Sequence, residues 1–251
     1  KEQAVIISQE EIAPAIYSLW IKTDKIAQYA KAGQFISIYC EDGSRLLPRP
    51  ISICEADKEN GRLRIVYRIA GAGTKEFSAY KEGDTLDIMG PLGNGFPLKK
   101  KKAFLIGGGI GIPPMLELAK NLDCEKTAVI GYRDKETFLA DELRKYADVV
   151  IATEDGSVGT KGNVIDAIRA EKLTADIIYA CGPTPMLKAL KAYAMENGIE
   201  CYISLEEKMA CGIGACLGCV CKTKEKDAHS NVCNKRICKD GPVFLATEVE
   251  I

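Results

Sequence analysis

The chain has 251 residues, 47% hydrophobic and 27% charged, a globular composition with length enough for two compact domains. Its 34 Lys and Arg oppose 35 Asp and Glu, so the formal net charge of −1 gives no electrostatic reason to expect a nucleic-acid partner. No apolar run approaches the ~20 residues that cross a membrane; the longest, Ala103 to Ile112, is broken by glycines and stops at Pro113-Pro114.

Residues 1–98 read as all-β. Short apolar stretches recur at Ala4–Ile7, Ile16–Ile21, Phe35–Tyr39, Ile51–Cys54, Leu63–Ile69 and Thr85–Met89, parted by turn signals such as Lys31-Ala-Gly33 and Glu59-Asn-Gly61. That spacing predicts a small antiparallel barrel or sandwich, with Thr74–Tyr80 as its one helix. The run Lys99-Lys-Lys-Lys102 falls where the pattern changes and reads as a solvated junction. Beyond it, strands are expected at Ala103–Gly107, Thr127–Tyr132, Asp148–Thr153, Asp176–Ala180 and Cys201–Leu205. Helices are expected between them at Pro113–Asn121, Lys135–Lys145, Asn163–Ala170 and Thr184–Asn197. This alternation predicts a five-stranded parallel α/β domain with helices on both faces. From residue 206 the periodicity fades, and so short a tail cannot build a core of its own without a metal centre to organise it. The expected units are therefore 1–98, 99–205 and 206–251.

The tail holds the most specific signal. Cys211, Cys216 and Cys219 stand in C-x4-C-x2-C spacing, and Cys238 follows in Cys238-Lys-Asp-Gly-Pro-Val-Phe244. Three thiolates from one glycine-rich loop and a distant fourth are the plant-type pattern for a [2Fe–2S] cluster, which passes one electron at a time. A four-cysteine zinc site is the main alternative, although such sites usually carry two C-x2-C pairs. Disulfides are the second, against an odd count of eleven cysteines and an N-terminus without a visible signal peptide. Unpaired cysteines without a targeting segment fit the reducing cytoplasm. Cys233 competes with Cys238 for the fourth position, Cys221 follows Cys219 too closely, and His229 reads as a solvated loop residue.

Four further motifs are weak singly. Gly107-Gly-Gly-Ile-Gly111-Ile-Pro-Pro114 joins the first strand of the α/β domain to its first helix, where a phosphate can approach backbone and helix N-terminus. Cys181-Gly-Pro183 ends the fourth strand at the same rim, as Gly131-Tyr-Arg133 and Glu154-Asp-Gly-Ser157 end the second and third. In the β domain, Arg49-Pro-Ile-Ser52 offers a cation suited to pyrophosphate, and Gly71-Ala-Gly-Thr74 a second backbone-open loop.

The order R-P-x-S, G-x-G-T, G-G-G-x-G-x-x-P, C-G-P resembles the ferredoxin–NADP reductase superfamily over nearly the whole chain. With C-x4-C-x2-C and C-x-D-G-P-V-F added, it resembles the iron–sulfur flavoprotein subunits that serve FMN-containing type B dihydroorotate dehydrogenases. The resemblance implies an FAD-binding barrel, an NAD-binding α/β domain and a small [2Fe–2S] domain. It implies that Arg49, Pro50, Ile51 and Ser52 line FAD, and that Tyr67, Ile69, Gly73 and Thr74 hold its ribityl and phosphate portion. Gly108, Gly109 and Gly111, with Cys181, Gly182 and Pro183, would receive the nicotinamide nucleotide. Cys211, Cys216, Cys219 and Cys238 would ligate the cluster, because the family's last cysteine precedes x-D-G-P-V-F. The implied activity is electron transfer from the partner's FMN through [2Fe–2S] and FAD to NAD+, in a heterotetramer that serves pyrimidine synthesis. A related flavin/iron–sulfur subunit of a ferredoxin–NADP or sulfur-reducing complex, and a zinc-stapled nucleotide-binding module, are the alternatives. Residues alone leave NAD and NADP open: Arg133 could meet a 2′-phosphate or simply face solvent.

Overall fold

The computed structural model describes residues 1–224, 226 and 231–251, so His229 lies outside the described residues. The N-terminal strands are β1 (Glu2–Ala13), β2 (Ile16–Lys22), β3 (Phe35–Ile38), β4 (Arg49–Asp57), β5 (Arg62–Arg68) and β6 (Thr85–Leu92). They close an antiparallel barrel in the order β1-β2-β5-β4-β3-β6. Two short helices, α1 (Ile26–Tyr29) and α2 (Ala72–Phe77), fill its connections. Alternation along each strand sets its inner face. Ile36 and Ile38 join Leu19, Ile21, Ile65 and Tyr67 in the barrel core, whereas Phe35 turns outward into a second core. β4 pairs with β5 only from Ile53 to Asp57, while Arg49–Ser52 pair with β3. The barrel therefore opens between the start of β4 and the end of β5.

The second layer contains β7 (Ala103–Gly108), β8 (Lys126–Tyr132), β9 (Asp148–Thr153), β10 (Thr160–Lys161), β11 (Ile177–Cys181) and β12 (Glu200–Ser204), all parallel. Its helices are α3 (Pro113–Asn121), α4 (Ala140–Leu143), α5 (Val164–Ala170) and α6 (Thr184–Glu196). The tail adds a hairpin, β13 (Val220–Lys222) with β14 (Asn234–Arg236), and then β15 (Val243–Leu245), which pairs antiparallel with β12. The five expected strands are present, but the sheet has seven, in the order β10-β9-β8-β7-β11-β12-β15. The additions are too short to show periodicity. The helix expected at Lys135–Lys145 shrinks to α4 because Leu139 takes a left-handed φ of 65° and Asp134 caps a turn at Glu136.

One face of the sheet buries α3 and α4, the other α5, α6 and tail residues including Met209, Ile237, Phe244 and Val249. The tail thus borrows the core of the α/β layer. It is also pinned to the loop after β6: the Asn94 N–H donates to the Gly241 carbonyl at 2.6 Å, and its side-chain amide to the carbonyls of Lys239 and Asp240 at 3.1 and 3.0 Å.

Barrel and sheet meet at a buried polar junction. Arg64 of β5, 7% exposed, donates through Nη2 to Glu142 of α4 at 3.0 Å and through Nε to Ser18 at 2.8 Å. Lys120 of α3 reaches Glu55 at 2.6 Å, and Glu117 accepts the Ala56 N–H at 2.9 Å. Burial pushes the Glu117 carboxyl above its usual range, and the hydrogen bonds it accepts from the Ala56 N–H and the Asn121 amide pull against it. The lysine run is not free charge: Lys100, Lys101 and Lys102 pair with Asp123, Glu200 and Glu125 at 2.8, 3.0 and 2.7 Å, and Lys99 also pairs with Glu200. Among the described residues no helix is long and apolar enough to cross a membrane.

Candidate functional site

The opening of the barrel brings two sequence motifs together. Gly73 lies directly under the Arg49 side chain, since a Cβ there would stand 2.5 Å from Arg49 Nε. Thr74 Oγ1 accepts the N–H groups of Ala70 and Gly71 at 2.9 and 3.2 Å and so shapes the loop into α2. Pro50, Ile51 and Ser52 follow Arg49 along β4 where β5 has drawn away. Tyr67 is used differently. Its ring is buried in the barrel, stacked on Tyr17 at 5.7 Å, and its hydroxyl donates to Gln9 at 2.8 Å. What Tyr67 offers at this opening is main chain. Ile69 lies just past β5, half-buried, its N–H bonded to the Ala15 carbonyl at 2.9 Å.

A cleft of about 820 Å³ lies along the carboxyl ends of the parallel strands. The chain order reverses there, from β7 outward through β8 and β9, then back across to β11 and β12, which marks the switch point where ligands of open α/β sheets bind. Gly108, Gly109, Gly182 and Pro183 line it. Gly111 and Cys181 do not: a Cβ on Gly111 would lie 2.3 Å from the Cys181 carbonyl oxygen, and Cys181 is fully buried. Those two hold the glycine loop against the end of β11. Burial raises the Cys181 thiol, with Glu206 adding to the effect.

Three wall residues were not singled out from the sequence. Asn163 caps α5, accepting the Ile165 N–H at 2.8 Å. Glu206 follows β12 at the same rim; it remains open to solvent inside a concave recess, and the surrounding protein desolvates it and raises its carboxyl. Its place just past a strand end was the available signal. Arg68, from the barrel, lies with Nη2 3.6 Å from where a Gly109 Cβ would be, so the opening of the barrel faces the mouth of the cleft. Around Arg133 the wall is mostly acidic, with Asp134, Glu136 and Glu154.

The four tail cysteines pair two and two. Cys211 Sγ accepts the Ala215 N–H at 3.3 Å. Burial works against its ionisation, but the N–H groups of Ile213, Cys216 and Ala215 and the Cys216 thiol prevail, so its thiol titrates well below the ordinary value. Cys219 Sγ accepts the Cys238 N–H at 3.4 Å. Burial first, then the neighbouring Cys219, push the Cys238 thiol upward, while the Gly214 N–H bonded to its sulfur opposes them. Arg236 reinforces the approach, bonding Asp240 through Nε at 3.0 Å and the Gly214 carbonyl through Nη1 at 3.3 Å. Cys233, by contrast, is exposed beside Lys222 and Lys224, with its carbonyl accepting the Thr223 N–H at 2.9 Å. Among the described residues no three His, Cys, Asp or Glu side chains gather closely enough to hold one ion. Two thiol pairs under converging N–H groups fit a two-iron group, which takes two cysteines at each iron and hydrogen bonds at its sulfurs. All eleven cysteines are free, so no disulfide competes.

Comparison with known proteins agrees with this division. Residues 3–96 match the oxidoreductase FAD-binding domain, and residues 206–250 the iron-sulfur cluster binding domain of dihydroorotate dehydrogenase B. A solved chain from a study of flavin-based electron bifurcation, the NADH-dependent reduced ferredoxin-NADP oxidoreductase, superimposes with a TM-score of 0.88 at 32% identity, covering 100% of this chain and 90% of that one. The cytochrome b5 reductase domain of Ulva prolifera nitrate reductase shares the fold over 79% of this chain and 94% of that one, with a TM-score of 0.65 at 18% identity. The molecule is thus an FAD-binding, iron–sulfur oxidoreductase. It is 46% identical to the dihydroorotate dehydrogenase B (NAD(+)), electron transfer subunit, of Streptococcus mutans, over 99% of this chain and 98% of that one, and 45% identical to that of Fusobacterium nucleatum, over 100% and 98%. The chain belongs to this family of electron transfer subunits.

Proposed function

We propose that the chain carries electrons from the FMN of a dihydroorotate dehydrogenase catalytic subunit to NAD+, in the cytoplasm, within a heterotetramer serving UMP synthesis. Residues 1–98, 99–205 and 206–251 divide the work of binding FAD, nucleotide and cluster. When bound, the cluster supplies one-electron transfer, and FAD the conversion to the hydride chemistry that NAD+ requires.

The protein's part is to bind and orient. Arg49 meets the FAD pyrophosphate, for which a guanidinium fork is suited. Pro50, Ile51 and Ser52 border the ring system. The main chain of Tyr67 and Ile69, with Gly73 and Thr74, takes the ribityl and phosphate portion. Gly108, Gly109, Gly182 and Pro183 receive the nicotinamide nucleotide, while Gly111 and Cys181 keep the two loops locked beneath it. The acidic wall at Asp134, Glu136 and Glu154 favours a ribose hydroxyl over a 2′-phosphate, in keeping with NAD. Cys211, Cys216, Cys219 and Cys238 ligate the cluster.

The observation that carries this reading is the two-by-two pairing of those cysteines under backbone N–H groups, with Cys238 beside Cys219 and Cys233 exposed away from them. Cys216→Ser, purified with the catalytic subunit, is expected to lose dihydroorotate-dependent NAD+ reduction and keep NADH-to-dye activity. Retained coupled activity overturns the reading, as does a colourless protein that holds zinc and no iron. The likeness to a ferredoxin-NADP oxidoreductase chain favours, as a second reading, a related complex with another partner. The identity of the copurifying subunit separates the two.

A further inference from the structure

Among the described residues, only two buried side-chain oxygens lack a hydrogen-bond partner: one carboxylate oxygen of Glu2, and Ser37 Oγ. Ser37 is 0% exposed. A buried hydroxyl without a partner is costly, so its place in an otherwise apolar strand calls for an acceptor.

The strand shows which way the hydroxyl faces. Ile36 and Ile38 point into the barrel core, so Ser37 points outward from β3. It meets Gly212, the residue after Cys211: a Cβ on Gly212 would stand 3.0 Å from Ser37 Oγ, 3.4 Å from Leu92 Cδ1 and 3.9 Å from Met89 Cε. Gly212 takes φ 69°, and so bends the cysteine loop over the hydroxyl. In the ladder Ser37 stands opposite Pro50, within the segment assigned to FAD, and opposite Met89 on its other side. The hydroxyl therefore occupies a dry wall between the flavin segment and the cysteine loop.

We propose that Ser37 donates a hydrogen bond to a sulfur on the Cys211 side of the [2Fe–2S] cluster and thereby raises its reduction potential. The inference rests on the cluster assignment above. A donor aimed at sulfur stabilises the reduced state, which carries the additional negative charge, more than the oxidised state, and hydrogen bonds to the sulfurs are among the determinants of cluster potential. No bond is made or broken. The hydroxyl keeps its proton and biases the one-electron equilibrium between cluster and flavin towards the cluster.

The test is a redox titration of the intact two-subunit complex, with the reduced cluster followed by electron paramagnetic resonance and the flavin by absorbance. Ser37→Ala is expected to keep its iron and FAD, to leave the flavin couple in place, and to lower the cluster potential. The shift should be on the order of tenfold in the one-electron equilibrium, ~59 mV. Ser37→Cys, similar in size and a weaker donor, should fall between Ala and the parent; it also serves should the alanine variant fail to hold iron. The exchangeable proton couplings, identified by comparing hyperfine spectra in ordinary and deuterated buffer, should be one fewer in Ser37→Ala. A cluster potential unchanged in an iron-replete variant overturns the proposal, as does a shift confined to the flavin. A parent complex without iron would instead overturn the cluster assignment, so the two failures are distinguishable.

Discussion

In the loop Gly107–Gly111 most of the missing side chains make room for packed neighbours, whereas in the loop Gly212–Gly218 two of them let the backbone turn. Gly111 packs on the Cys181 carbonyl, and a Cβ on Gly108 would stand 2.7 Å from Met186 Sδ. Gly212 and Gly214 take φ values of 69° and 84°, and the turned chain directs N–H groups at the sulfurs of Cys211 and Cys238. The first loop belongs to a layer with its own core, and the second to a tail that borrows one. Two glycine-rich stretches thus answer to different constraints: close packing within a sheet, and main-chain geometry around an inorganic group.

That contrast can be broken at its strongest point with Gly111→Ala. The new methyl runs into the Cys181–Gly182 peptide, at 2.3 Å from the Cys181 oxygen and 2.6 Å from the Gly182 nitrogen. Thermal or denaturant unfolding should show a loss on the order of 3 kcal/mol or more, with the α/β layer and its nucleotide binding lost together. An intermediate effect is expected at Gly214→Ala, where a left-handed residue other than glycine costs ~1–3 kcal/mol and the methyl also meets the Lys239 stem at 2.7 Å. Here iron content should fall while FAD stays bound; equal loss of both would erase the distinction between the two regions. The smallest change is Cys233→Ser. It should leave iron content and the visible spectrum as they are and shift stability by no more than ~0.5 kcal/mol, whereas a drop in iron would move the fourth ligand to Cys233.

Much of this was legible in the sequence because it repeats or is spaced. Short apolar stretches parted by turn signals announced a barrel or sandwich, and strand–helix alternation announced the parallel layer. The C-x4-C-x2-C spacing marked the cysteine loop, and the motif order carried the family. What escaped is local or distant. β10 and β15 have two and three residues, too few for any period. The helix lost at Lys135–Leu139 gives way to a left-handed Leu139 and the turn at Asp134, and Leu217 takes a left-handed φ of 56° at a position no glycine marks. Arg64 and Glu142 are 78 positions apart, and nothing in either segment announces their pairing across the junction. Gly111 and Cys181 were expected to face a ligand because their motifs lie at the right rim, but a motif names a loop and leaves open which of its atoms face inward. A lone serine in an apolar strand, as at Ser37, has no pattern at all.

β15 gives the tail a role beyond electron chemistry. Three residues, Val243–Leu245, cover the side of β12 that would otherwise be a bare edge of the sheet, with Tyr202, Ile203 and Ser204 as their partners. A bare strand edge is a template for pairing with another chain. The same short segment that follows Cys238 therefore acts as a seal against self-association. Displacing it would turn a defect in iron supply into a problem of solubility, with the sheet margin as the adhesive surface.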